Sequence, residues 1–408
     1  MNPPSAAALH RQTTLGCRTI CFAEISAGHT SFLNWLAAFC SEVIEFRARG
    51  VRPYGYDSAS NHLSARREQH HLVTAFISGL DLSRQFYQEA VRPVLDAAFP
   101  GMPHSAALLG RGSEVLGFDD EMSRDHNWEP RVLLFLRDED HARDGDAIGE
   151  TLRQELPPRF QDYPTDYSIF TLRDYFLEHL DVDIDGEVRA HDWLTFPEQQ
   201  LGMITAGAVY HDEVGLQAVR DRFAYYPRDV WLYLLVSGWW RIHPEANLVG
   251  RAGFVGDELG SALIGSRLVL DLMRLCFLME RQYAPYSKWF ATAFSRLSSA
   301  AELSPILWTA LRAQRWLERE RALMAAYEKV AALHNALHIT EPVSTEVQQM
   351  WDRPFKVIWG DFPGALSAQI QDPEVKRIAE RWPTGGVDQL RDLLPGLRSR
   401  RLLLRLIE

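Results

Sequence analysis

The sequence predicts an α+β protein, with a small mixed-sheet domain over about residues 76–190 and an all-helical domain over 191–408. Three observations lead there. Short apolar runs bounded by turn residues, at Ser105–Leu109, Arg131–Leu136 and Asp166–Leu172, have the length and composition of strands. From Asp192 onward such runs nearly vanish, and apolar residues recur at helical spacing instead. Proline and glycine punctuate that helical half, as at Pro227, Pro244, Pro285 and Pro342.

Taken in order, Ser83–Ala98 reads as an amphipathic helix, capped by Asp81 or Ser83, kinked at Pro93 and stopped at Phe99-Pro100-Gly101. Ser105–Leu109 is a short strand leading into a Gly-Ser turn, followed by a brief helix or loop through Met122. Arg131–Leu136 is the clearest strand of the chain. Ala147–Leu156 is helical, and the strand Asp166–Leu172 leads into a helix over Arg173–Leu180. Helical patterns then follow at Phe196–Ala208, Gly215–Phe223, Arg228–Trp240, Asp257–Glu280, Tyr286–Ser298, Ile306–Leu311, Trp316–Leu337 and Thr345–Trp351.

Met1–Ala75 has a different character. It holds three of the four cysteines (Cys17, Cys21, Cys40), is rich in Ser, Arg and His, and shows no sustained periodicity beyond Ser31–Phe46. It lacks the basic segment and cleavable apolar core of a signal peptide. Val73 opens Val-Thr-Ala-Phe-Ile-Ser, which looks like a natural beginning. Two readings stand: an over-called start, with translation beginning near Val73, or a poorly ordered N-terminal arm.

A formal net charge of −11 argues against a general nucleic-acid or anionic-membrane binder, which would present a basic face. The longest apolar runs, Val230–Trp240 and Leu268–Met279, fall short of the roughly 18 residues a membrane span needs. Cys276 lies inside an apolar run as a buried thiol, and no Cys-x-x-Cys spacing occurs. A soluble cytoplasmic protein is expected.

Residues 110–128, Gly-Arg-Gly-Ser-Glu-Val-Leu-Gly-Phe-Asp-Asp-Glu-Met-Ser-Arg-Asp-His-Asn-Trp, carry the most chemistry. A Gly112-Ser113 turn at a helix start offers backbone N–H groups and a hydroxyl to a triphosphate. Asp125 and Asn127, at i and i+2 before an apolar strand, would face the same side and reach one Mg²⁺. That order suits metal-assisted nucleotidyl transfer. The competing reading is a loop in which Asp125 serves as a turn or cap residue.

Two further constellations stand beside it. Asp181-Val-Asp-Ile-Asp-Gly-Glu-Val-Arg-Ala-His-Asp192 places Asp181, Asp183 and Asp185 at positions 1, 3 and 5 and a glycine at 6, as in an EF-hand calcium loop. Position 12 is Asp192 instead of Glu, and position 9 is Arg189, so a solvated acidic connector is favoured over Ca²⁺. On the Asp257–Glu280 helix, Arg267, Asp271, Arg274 and Arg281 fall at offsets 0, 4, 7 and 14 and share one face. The intervening residues are nearly all apolar. The stripe therefore forms an internal ion network, or else lines a polar cleft suited to a nucleotide or anionic substrate, with Tyr286 and Lys288 at its mouth. His334, His338 and His70-His71 lack partners at ligand spacing and read as packing or capping residues. No Gly-x-Ser-x-Gly elbow, Gly-Lys-Ser/Thr phosphate loop or dinucleotide fingerprint is present.

From about Ala75 on, the chain resembles an uncharacterised, domain-of-unknown-function family of nucleotidyltransferase-like proteins. The resemblance rests on residues 109–119 and 123–128 in the first half. In the helical half it rests on residues 192–199, 225–231, 256–260, 267–281 and 283–289. The wider superfamily includes aminoglycoside nucleotidyltransferases. It implies a mixed-sheet catalytic domain, a helical substrate-binding domain, a Gly-Ser turn for the triphosphate, an acid-x-acid pair for Mg²⁺ and often a third acid on a neighbouring strand. Carried onto this chain, Gly112 and Ser113 match the turn and Asp125 the first acid. Asn127 stands where the second acid usually does, and Asp166 is the only acid at the start of the next strand. Combined with the reading of the residues above, the expected roles are metal binding by Asp125 and Asn127 and phosphate contacts from Gly112, Ser113, Arg267, Arg274 and Lys288. Asp271 and Tyr286 would meet the substrate, and Glu258 or Glu280 would be the base. A nucleotide triphosphate and an unidentified acceptor are the expected partners. The alternative is a catalytically weakened nucleotide-sensing or scaffold protein, because an amide oxygen can touch Mg²⁺ but brings no charge to it.

Overall fold

A computed structural model of the protein describes residues 76–125, 128–381 and 385–390. The extension expected over Met1–Ala75 lies outside the described residues, and Thr74–Glu408 group into one compact unit. That unit is α+β, with a small mixed sheet and many helices, as expected.

The first helix, α1, runs through Gly79–Phe86, a widened π turn at Tyr87–Val91, and Arg92–Ala98. Its cap is Ser78, whose hydroxyl accepts from the Asp81 amide at 3.1 Å, rather than Asp81 or Ser83. Pro93 has no N–H to complete the helical ladder, and the widened turn just before it accommodates the gap without ending the helix.

Strands β1 (His104–Leu108) and β2 (Arg131–Leu136) pair antiparallel, His104 opposite Leu136 and Ala107 opposite Leu133. Helix α2 (Asp138–Glu155) and the small hairpin of β3 (Arg159–Phe160) and β4 (Tyr163–Pro164) then lead to β5 (Asp166–Thr171). β5 lies parallel to β2, with Asp166 opposite Arg131. Helix α2 starts well before Ala147. Its first turn carries Asp138, Glu139 and Asp140, favourable at a helix N-terminus, but few apolar residues to announce it.

After α3 (Leu172–Leu180), α4 (Ala190–Thr195) and α5 (Glu198–Thr205), the chain returns to the sheet as β6 (Ala208–Asp212), antiparallel to β1. The order is β5-β2-β1-β6. The fourth strand thus begins where the Phe196–Ala208 helical reading ended. The remaining helices are α6 (Leu216–Arg222), α7 (Arg228–Ile242), α8 (Leu248–Phe254), α9 (Glu258–Met279), α10 (Ser287–Phe294), α11 (Ala300–Arg312) and α12 (Trp316–Ala336). The Thr345–Trp351 stretch, read as helix, instead holds β7 (Val347–Gln349), paired with β8 (Lys356–Ile358). Among the described residues the chain closes with α13 (Phe362–Ser367), α14 (Pro373–Arg381) and α15 (Val387–Leu390).

Both sheet faces are covered, which is why β1 and β2 read as continuous apolar runs and not as alternating ones. Ala106, Val132, Leu134 and Leu136 pack under α1 and α2 with Phe86, Leu95, Ile148 and Leu152. Ala107 and Phe135 face the other way, into the large core built around α7, α9 and α12. Leu268–Met279 is largely buried as its composition required, and Cys276 is a buried free thiol. Among the described residues no helix is long and apolar enough to cross a membrane.

Candidate functional site at one end of the sheet

Pairing geometry decides what meets the Gly-Ser turn. β1 ends at Leu108, antiparallel to β2 and β6, so its end meets the beginnings of β2, β5 and β6. The Gly110–Ser113 turn, the segment preceding Arg131, and Asp166 therefore emerge at one end of the sheet. Asp166 donates its backbone N–H to the Pro130 carbonyl at 3.1 Å, tying β5 to the loop that enters β2.

The turn is held from below. Gly110 and Gly112 have φ of 91° and 128°, which side-chain-bearing residues rarely adopt. A Cβ on Gly112 would overlap the Glu114 carboxylate, which folds back beneath it. Glu114 is 1% exposed. Its Oε1 accepts from Arg131 at 2.6 Å, and the same guanidinium nitrogen donates to the Arg111 carbonyl. Burial pushes the Glu114 carboxyl up in pKa although Arg131 pulls it down. Glu114 Oε2 and the nearby Tyr175 hydroxyl are buried without hydrogen-bond partners among the described residues, and burial also raises the Tyr175 phenol. The Gly110 amide donates to Met203 O and the Gly207 amide to Val115 O, both at 2.9 Å, joining the turn to α5 and the start of β6.

No α-helix begins at Gly112-Ser113. The chain makes consecutive turns, with Phe118 N–H donating to Ser113 O at 2.8 Å, and then a 3-10 helix over Glu121–Asp125. No helix dipole is therefore directed at this turn. Asp125 closes the 3-10 helix rather than standing on a strand, so the i, i+2 strand alternation does not apply to it. The Asp125 side chain and all of Asn127 lie outside the described residues.

The outer side of the loop leans on the helical part. Phe118 stacks on Trp289 at 5.4 Å, and Arg296 sits over Phe118 at 4.0 Å while donating to Gly117 O. Asp119 accepts from the Gly79 amide and the Trp128 indole, at 2.8 and 2.9 Å. Hydrogen bonds from Ser123 hold the Asp120 carboxyl below its usual range, and the Lys288 ammonium contributes in the same direction. Lys288 is thus near enough to Asp120 to favour its ionised form.

The other named residues have different surroundings. Arg267, Asp271 and Arg274 form the ion-network version of the stripe: Arg267 pairs with Glu245, Asp271 with Arg241 at 2.8 Å, and Arg274 lies 4.0 Å from Glu198 and over Phe290. The helix ends at Met279, and Arg281, with φ 52°, turns off to lie over Trp231. Glu258 and Glu280 flank opposite ends of the 22-residue α9, about 33 Å apart at 1.5 Å per residue, so they cannot both serve one reacting centre. Glu258 faces Arg315 and Arg319, both at 3.5 Å. Glu280 accepts from Ser298 N–H and from the Ser299 amide and hydroxyl; burial raises its carboxyl, and these bonds outweigh that and hold it low. Tyr286 precedes α10, its amide bound to Gln199.

In the acidic connector, Asp181 ends α3 with φ 57°, Asp183 pairs with Arg173 at 2.5 Å and accepts from the Asp185 amide, and Asp192 caps α4. These are the contacts of a folded connector. Sequence reading missed the Glu114–Arg131 pair, although Glu114 directly follows the Gly-Ser dipeptide and Arg131 opens the clearest strand.

Residues 193–290 match a family described as a domain of unknown function, DUF4037. Among curated proteins no sequence matches the chain. A solved structure, that of a nucleotidyltransferase-like protein from Exiguobacterium sibiricum 255-15, is similar with a TM-score of 0.27 and 11% identity, over 66% of this chain and 82% of that one. The matched interval takes in nearly all of the helical-half stretches on which the sequence resemblance rests, but not Gly112-Ser113 or Asp125. Over residues 193–290 the chain is similar to this uncharacterised family, as its sequence implied.

Proposed function

We propose that this chain binds a Mg²⁺-nucleotide at the sheet end where the Gly112-Ser113 turn, the segment around Asp125 and Asp166 converge. In this reading it transfers a nucleoside monophosphate to a hydroxyl or amine of a small molecule or protein. The observation that carries the reading is the strand register, Ala107 opposite Leu133 and Arg131 opposite Asp166, which directs the turn and Asp166 to one edge. The amides of the turn and the Ser113 hydroxyl suit phosphate oxygens. Asp125, with Asn127 beside it, suits the first metal contact, and Asp166 is the carboxylate at hand for a second. A bound Mg²⁺ would offset charge on the phosphates. Lys288, whose charge acts on this loop, suits the leaving pyrophosphate.

A second reading, a nucleotide sensor without transfer, is favoured by Asn127, which brings no charge where a second carboxylate would strengthen the metal site. Calorimetry with Mg-ATP and Mg-GTP, with pyrophosphate release measured in parallel, separates the two. The expected result is binding by the wild type, at least tenfold tighter binding and faster release in Asn127→Asp, and loss of both in Asp125→Asn. Binding without release in wild type and Asn127→Asp supports the sensor. Equal affinity in all three proteins, or none in any, removes the metal site altogether.

A further inference from the structure

At the far end of the same sheet, β1 begins with His104 and β6 finishes into Glu213. Ala106 pairs with His211, and Glu213 N–H donates to His104 O at 3.1 Å. Side chains two apart on a strand share a face, so His104, His211 and Glu213 project from one side of the β1–β6 pair. Their nearest ligand atoms all lie within 4.8 Å of one another. His211 Nε2 and Glu213 Oε2 are 3.2 Å apart, and the two imidazoles lie 4.6 Å apart, centre to centre.

We propose that His104, His211 and Glu213 form a binding site for a divalent transition metal of the zinc class, distinct from the Gly-Ser end. Two imidazoles and a carboxylate make a three-ligand set of the kind that holds zinc with one position open to water. At about 2.05 Å from each ligand, tetrahedral zinc separates ligand atoms by about 3.4 Å, close to the His211–Glu213 spacing already present. The third ligand, His104, is fixed in the sheet, and the Glu213 side chain, about half exposed, can adjust toward it.

The surroundings fit metal binding. His104 Nδ1 lies 3.2 Å from the Met102 carbonyl, which can only accept, so the ring proton sits on Nδ1 and Nε2 carries the lone pair. Orientation of a ligand histidine by a backbone carbonyl is the usual support of a metal site. Burial lowers the His104 pKa, the direction that favours the neutral, metal-binding ring. The Tyr87 hydroxyl, 2.9 Å from Nε2, donates to that lone pair and is the group an ion displaces. The five residues of β1 separate the cluster from the Gly-Ser turn by about 14 Å at 3.4 Å per residue, so neither site needs the other.

The test is titration of the full chain with Zn²⁺ and with Co²⁺, read by calorimetry, bound-metal stoichiometry and visible absorption. The wild type should bind one equivalent more than His211→Ala, with Co²⁺ d–d bands that belong to this equivalent and no thiolate charge-transfer band, which sets it apart from any cysteine site. Glu213→Gln should weaken that equivalent at least tenfold. Tyr87→Phe, which removes the competing donor, should tighten it. Metal-free melting of His211→Ala and Glu213→Gln checks the fold; should one of them fail to fold, the other carries the comparison. Equal stoichiometry and affinity in wild type, His211→Ala and Glu213→Gln overturns the proposal, as does absence of this equivalent from the wild type.

Discussion

Removing Arg131 tests the support beneath the Gly-Ser turn. The Glu114 side chain is 2% exposed and Arg131 18%, and their 2.6 Å contact is the only charge compensation the structure gives that carboxylate among the described residues. Breaking a buried pair by removing one partner costs about 3–5 kcal/mol, and the partial exposure of Arg131 puts Arg131→Met near 3. Unfolding about 315 residues at roughly 2.1 cal/mol/K each gives about 1.5 °C of Tm per kcal/mol, or about 4–5 °C here. Glu114→Gln keeps a neutral acceptor for Arg131 and should lose about 1–2 kcal/mol. In the double variant no carboxylate is stranded, so its loss should fall well below the sum of the two. The pH dependence has a defined sign. The folded pKa of Glu114 already lies above its unfolded value, so its ionisation penalises folding as pH rises past about 4.5, and losing Arg131 steepens that penalty. Thermal melts of the four proteins at pH 5 and pH 8 should show Arg131→Met most destabilised at pH 8. Additive losses, or the same loss at both pH values, would refute the pairing.

Two further outcomes use the same melts. Glu198, beside Asp388 whose carboxylate accepts its amide at 2.8 Å, has its pKa raised to about 8 by burial and then by Asp388. Stability should therefore be greatest below about pH 4.5 for this group and decline up to about pH 8, and Glu198→Gln should flatten that decline; an unchanged slope removes the assignment. Arg241→Met strands Asp271, whose side chain is 4% exposed, and should cost about 2–4 kcal/mol, whereas Arg267→Ala breaks an exposed pair with Glu245 and should cost about 0.5 or less. Losses of similar size in the two variants would mean that the stripe is not held together as described.

What could be read in advance was whatever the chain encodes locally. Arg131–Leu136 was legible because a strand buried on both faces is apolar at nearly every position, and α9 because 22 residues repeat one pattern. β6 was not. Ala-Val-Tyr-His-Asp holds only two strand-favouring residues, Val209 and Tyr210, too few to stand out beside the preceding helical pattern, and it becomes a strand because β1 offers it an open edge. The Thr345–Trp351 error has the same root, since β7 exists only through β8. Around the proposed site, the Gly-Ser turn stood out as a motif in the sequence, and the register that brings Asp166 to the same end of the sheet did not. His211-Asp-Glu213 carried a usable signal, two ligand-type residues at strand spacing, but the third member proposed for that cluster comes from 107 positions earlier, through hydrogen-bonded strand pairing that no local pattern announces.

The placement of β6 also bears on how the protein is made. β1 is paired with β2 after a connection of about 20 residues, but its other edge waits for a segment about a hundred residues further along the chain. At a synthesis rate of about 5–20 residues per second, that edge stays open on the nascent chain for roughly 5–20 s. Ser105, Ala106 and Ala107, wholly buried in the finished protein, are then presented as unpaired strand backbone to whatever lies nearby. Slow codons or a ribosome stall placed before Ala208 should therefore lower the soluble yield more than the same delay placed after Asp212, by prolonging exposure of a single strand.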